Sequence, residues 1–252
     1  MYTPWNCIAG GGESTVTNRI DREDARIIVE GPLSFTNLHY LLATIYGAIN
    51  KAGYQDLVLD LSKCFFALPG AILAVCAQVI QLRQNGIYCG VRLPSDERLR
   101  RLFLNANWAH LLDPRGYDPS RFQGYSRLPA TQFKGPEDQQ TAVNRIADAI
   151  LGAIPDMDRA DFAAFEWAIS ELTDNVLTHS ESQIGGLVQV STFQRDKKRV
   201  EFVVSDAGVG IPASLRNNYP DISSDTEALD KAIREGVTRD KSLGQGNGLY
   251  GS

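Results

Sequence analysis

Several things are scarce in this chain of 252 residues, and each absence excludes a class of protein. No apolar run approaches the ~18 residues of a membrane-spanning helix. The first seven residues, Met1-Tyr-Thr-Pro-Trp-Asn-Cys7, lack the basic and apolar regions of a secretory leader. Lys and Arg number 25 against 30 Asp and Glu, a net charge of −5, which argues against a general nucleic-acid-binding surface. Cysteines are few: Cys7, Cys64, Cys76 and Cys89 show no C-x-x-C spacing and three lie in apolar surroundings. Buried, reduced thiols in a cytoplasmic protein are the expectation. The glycine-rich Ala9-Gly-Gly-Gly-Glu-Ser14 lacks the Lys-Ser/Thr of a P-loop and reads as a turn segment.

What is present is enough apolar mass for real cores. Hydrophobic residues make up 43% and charged residues 22% of a length that suits one large or two ordinary domains. Residues 21–113 read as a first α/β domain, after an N-terminal segment 1–20. Its expected strands are 26–30, 56–61 and 87–93. Its expected helices are 36–52, 70–84 and one capped by Ser95 that runs to about Leu112. Residues 114–136 hold four prolines, three glycines and four aromatics. They read as an irregular linker packed across both domains. Residues 137–252 form the second domain, with helices expected at 137–154 and from Asp158 or Asp161 through His179. A hairpin follows, from strands 186–193 and 199–205, then a short helix at 226–236.

Three short signatures in the second domain carry the chemistry. The first is Glu171-Leu-Thr-Asp-Asn175-Val-Leu-Thr-His179. Glu171, Asn175 and His179 are spaced at i, i+4 and i+8 and share one helix face, beside an apolar stripe of Phe165, Ile169, Leu172 and Val176. A carboxylate can orient a water or hydroxyl. An amide oxygen suits Mg²⁺, which prefers oxygen ligands and keeps several waters. The second signature, Val204-Ser-Asp206-Ala-Gly208-Val-Gly210-Ile211-Pro212, ends a strand. Asp206 can accept a hydrogen bond from an exocyclic amine, and Gly208 and Gly210 let backbone approach a flat ligand. The third, Gly244-Gln-Gly246-Asn-Gly248-Leu249, can surround phosphate oxygens with backbone N–H groups. A dinucleotide-type reading of these glycines fails. Gly246 to Gly251 follows no strand, and Asp206 would sit beside a diphosphate.

In order and spacing the three signatures resemble the Asn box and the two Gly boxes of the GHKL (histidine kinase-like) ATP-binding superfamily. The short Asn box, with no phosphoacceptor His upstream, is most similar to the anti-sigma serine-kinase branch. Leu57-Val-Leu-Asp-Leu61, Phe65-Phe-Ala-Leu-Pro-Gly70 and the helix after them resemble an STAS domain. Where phosphorylated members of that family carry Ser or Thr before the glycine, this chain has Leu68 and Pro69, neither with a hydroxyl.

The resemblance implies a two-domain α/β fold: an STAS-like sheet with packed helices, then a GHKL-type two-layer sandwich. It implies ATP and Mg²⁺ as cofactors, with Asn175 as the metal residue and Glu171 as the catalytic one. Asn175, His179, Asp206, Gly208, Gly210, Ile211, Gly244, Gly246, Gly248 and Leu249 would bind ATP. The function implied is a bacterial regulatory protein that hydrolyses ATP or transfers its γ-phosphate to a protein Ser or Thr, controlled by the STAS-like domain. Alternatives are a non-catalytic nucleotide-gated binding module and an ATP-driven dimerising clamp. A regulatory protein partner and a possible homodimer are implied; nucleic-acid and membrane partners are not. Family members continue past the second Gly box, whereas this sequence stops at Ser252. A C-terminally incomplete sandwich is therefore expected, completed by something else or cut from a longer chain.

Overall fold

The computed structural model describes residues 18–122, 128–193, 199–217 and 219–234. It is mixed α/β, with one mixed sheet and one antiparallel sheet.

The first sheet has the order β1-β2-β3-β4, from Arg19–Glu23, Arg26–Leu33, Asp56–Ala67 and Tyr88–Arg92. β1 and β2 form an antiparallel hairpin; β2, β3 and β4 run parallel. Parallel neighbours need crossovers, and these are α1 (Phe35–Asn50) and α2 (Pro69–Gln84). Ser34 and Asn37 close a capping box at the start of α1. Alternation along β2 turns Ile27, Val29 and Leu33 to the core.

The single helix expected from Ser95 to Leu112 is two. Asp96, not Ser95, caps α3 (Glu97–Asn105), its carboxylate accepting from Leu99 N at 2.8 Å. Asn107 then takes a left-handed conformation (φ 68°) and starts α4 (Trp108–Leu112). Asn tolerates that region better than most residues. Its side chain supports the turn, with Nδ2 donating to Ala130 O at 2.9 Å and Oδ1 accepting from Ser120 N at 2.9 Å.

The second sheet has the order β5-β6-β7, from Leu128–Phe133, Gly186–Phe193 and Arg199–Asp206, all antiparallel. β5 lies inside the stretch expected to be irregular. Its prolines do not prevent pairing because Pro129 falls where the ladder with β6 shifts register, between Leu128 and Thr131. Helices α5 (Pro136–Ala153) and α6 (Arg159–His179) cover one face, in a core of Val143, Ile146, Ile150, Ile169, Val188 and Val190. Asp158 caps α6, accepting from Ala160 N at 2.7 Å. Two short helices follow the sheet, α7 (Gly210–Arg216), which the sequence reading did not anticipate, and α8 (Asp225–Ala232), with Ser224 as its cap.

The opposite face of the second sheet is covered by the first half of the chain. α2 lies between the two sheets, touching β4 on one side and β6 and β7 on the other. Ala130, Ile184 and Leu187 join the core of the first sheet, with Val203 and Ala207 packed against it. This accounts for the composition of α2, where Ala71, Ile72, Leu73, Val75, Cys76, Val79 and Ile80 are all buried. Its polar residues Gln78, Gln81, Arg83 and Gln84 are not among the buried ones, so the helix is enclosed on most of its circumference but not all of it. Trp108, fully buried on α4, donates its indole N–H to Gln189 Oε1 at 2.6 Å. The polar residue in the middle of β6 is thereby satisfied inside the contact between the two sheets.

Candidate functional site

α6 carries the first signature. Glu171, Asn175 and His179 are each half-buried, at successive helical repeats of about 6 Å. Of the expected apolar stripe, Ile169 and Val176 are buried in the core shared with β6 and β7 and Phe165 packs against it, whereas Leu172 is half-buried outside that core. His179 is the last helical residue, at the end of the helix where an imidazole suits the dipole.

β7 carries the start of the second signature and ends on Asp206, one residue beyond the expected strand 199–205. The Asp206 carboxylate accepts from Gly208 N at 2.7 Å, an Asx turn that folds the loop back on itself. Gly210 has φ +76°, the left-handed region, and opens α7. Ile211 follows with its side chain 39% exposed beside this turn. It is an apolar surface at the position where a flat ring is expected.

The two signatures meet. A Cβ on Gly208 would overlap the Ser180 carbonyl, lying 2.7 Å from its carbon and 2.8 Å from the Ser180 Cβ. Ser180 is the residue after His179, so the glycine turn sits directly on the C-terminal end of α6. Val209 N donates to Ser180 O at 2.8 Å. A second contact lies one turn back, where a Cβ on Gly186 would be 3.0 Å from Val176 Cγ1. Gly186 is the ladder partner of Asp206. Asn175 and Asp206 are thus carried to the same end of the layer formed by α6 and the sheet.

Asn175 adds a second observation. Its Nδ2 is buried and finds no hydrogen-bond partner among the described residues. A buried amide left unpaired is costly and calls for an explanation. The half-buried Asn175 side chain also carries an oxygen, the donor type a Mg²⁺–phosphate unit takes, and Mg²⁺ needs few protein ligands, so its chemistry fits that role. Among the described residues no group of three or more His, Cys, Asp or Glu gathers as a metal cluster.

Gly244, Gly246, Gly248 and Leu249 of the third signature lie outside the described residues. Cys64, Cys76 and Cys89 are buried and free, and Cys7 lies outside the described residues. Burial pushes the Cys64 thiol up and that of Cys89 to about 11, so neither is a nucleophile at neutral pH. No helix among the described residues is long and apolar enough to cross a membrane.

Sequence reasoning missed Ser180, Ser182, Trp108 and Gln189. Of these, Ser180-x-Ser182 just past a helix end carries a legible signal, because serine side chains commonly bond nearby backbone there. Comparison with family models, with curated proteins and with solved structures finds no match.

Proposed function

We propose that the chain is a Mg-ATP-binding regulatory protein of the GHKL type that hydrolyses ATP or transfers its γ-phosphate to a protein Ser or Thr. An STAS-like N-terminal unit would control it. The observation that carries the reading is the seating of the Asp206–Gly210 turn on the end of the helix that bears Glu171, Asn175 and His179. The half-buried Asn175, whose amide oxygen is a donor type that Mg²⁺ takes, supports it.

In this reading the Asp206 carboxylate accepts from the adenine amine, Ile211 lies against the ring, and Gly208 and Gly210 keep the approach open. Asn175 holds the ion, and Mg²⁺ when bound supplies charge neutralisation to the phosphates. Glu171 orients the attacking water or hydroxyl. Phosphoryl transfer asks mainly for positioning and charge stabilisation, so few side chains suffice. Control from the N-terminal unit has a physical route in α2, which packs against β7, and in Ala207, which lies between Asp206 and Gly208 and packs against the first sheet's core.

The test is Glu171→Ala, with MgATP affinity and γ-phosphate release or transfer measured side by side. Retained affinity with turnover reduced at least ~100-fold supports an enzyme. A parent with affinity but no turnover, matched by the variant, replaces the enzyme with a nucleotide-gated binding module.

A further inference from the structure

The loop that ends α6 does more than terminate it. Ser180 Oγ donates to Val176 O at 2.6 Å and accepts from Ser182 N at 3.0 Å. Ser182 Oγ accepts from Ala207 N at 3.3 Å, and Ser180 O accepts from Val209 N at 2.8 Å. These bonds form one continuous path from Val176, next to Asn175, to Ala207, next to Asp206. Between the two serines Glu181 is held at φ 56°, a conformation a residue with a Cβ rarely adopts. A non-glycine residue stays there only where its surroundings over-determine it. Here they do: Ser180 is buried under Gly208, and Ser182 is tied on both sides.

We infer that Ser180–Glu181–Ser182 is a positioning clasp for the base-recognition turn. It fixes where Asp206 stands relative to Asn175, and Ser182 is its adjustable member. This rests on the nucleotide reading above and adds to it a determinant of base specificity that touches no ligand. If Ser182 loses its hydroxyl, Ala207 N loses its acceptor and the turn relaxes at its first residue past Asp206. The Asp206–amine bond then weakens. Contacts made through Asn175 to the ion and phosphates do not pass through Ser182 Oγ and stay intact. The clasp therefore governs discrimination between bases rather than binding as a whole.

The experiment uses the full chain and titration calorimetry with MgATP and MgGTP on the parent, Ser182→Ala and Ser182→Thr. For Ser182→Ala, ATP affinity falls about five- to tenfold, the scale of one lost hydrogen bond to a buried donor. GTP affinity stays as in the parent while the thermal unfolding midpoint falls only by the few degrees that one lost hydrogen bond costs, so the ATP-over-GTP ratio narrows. Ser182→Thr, which keeps the hydroxyl, restores it. If the parent prefers ATP and Ser182→Ala keeps the parent's ratio, the clasp is overturned while the nucleotide reading stands. An equal loss for both nucleotides also overturns it, as a structural effect. A parent that binds neither nucleotide removes the nucleotide reading and the clasp with it.

Discussion

Replacing Gly208 by alanine asks the most of the proposed geometry. The added methyl would lie 2.7 Å from the Ser180 carbonyl carbon and 2.8 Å from its Cβ, against 3.4 Å where ordinary contact begins. All of these atoms are backbone or attached to it, so no side-chain rotation relieves the overlap. Overpacking of this kind costs about 1–3 kcal/mol. If the turn lifts away instead, the Val209–Ser180 bond is lost at about 1 kcal/mol. Either way Asp206 moves, because its carboxylate is bonded to Gly208 N. Losing a charge-assisted bond to an adenine amine is worth about 1.5–3 kcal/mol, or roughly 10- to 100-fold in Kd. Gly210→Ala is the control. Its φ of +76° strains any side chain, but the nearest atom to an added Cβ is Pro212 Cδ at 3.8 Å, so the cost is about 1–2 kcal/mol without a clash. Calorimetric titration with MgATP alongside thermal unfolding should rank the parent above Gly210→Ala and that above Gly208→Ala. Binding of Gly208→Ala within threefold of the parent, or equal effects of the two substitutions, would refute the reasoning.

Three further outcomes follow from other parts of the molecule. Trp108→Phe keeps an aromatic ring but leaves Gln189 Oε1 without its donor and a void where the rest of the buried indole was; urea unfolding should show a loss of at least about 1–3 kcal/mol, still in one transition because both sheets share a core. Asp60 is fully buried and paired with Arg26 and Arg92. Burial pushes its carboxyl up, but hydrogen bonds from Ser62 and the Arg26 guanidinium overcome that and hold it below the usual carboxylate value. The folded state then binds this proton less tightly than the unfolded chain. The stabilisation is present above about pH 4 and is lost as pH falls through the folded value, so Asp60→Asn should flatten the acid limb of a stability–pH curve. On a Cys7→Ser background, Cys64, Cys76 and Cys89 should resist a thiol reagent at pH 8 in the native protein and react on unfolding, since burial raises all three.

Much of this arrangement could be read from local pattern. The spacing of Glu171, Asn175 and His179 put them on one face of a helix, and the β-branched and aromatic run Val200 to Val204 marked the strand that Asp206 ends. Both are local properties. Gly208 and Gly210 were legible as a turn, though not the separate reasons for them: Gly210 needs a left-handed φ, and Gly208 needs space against Ser180. That second reason is tertiary and has no sequence period. The same holds for β5, whose pairing with β6 overrides a stretch rich in proline and glycine, and for the break at Asn107, which depends on Ala130 accepting its amide. The apolar run from Ala71 to Ala77 in α2 is plain in the sequence, but what covers it is not. Such a helix can be covered from its own domain, and here β6 and β7 of the second sheet supply part of the cover.

The most direct test of the central claim is titration of the intact protein with MgATP, repeated with Asn175→Ala and Asp206→Asn. Saturable heat from the parent, with affinity reduced at least about tenfold in each variant, is the predicted result. No heat from the parent, or variants that bind as the parent does, would contradict the account.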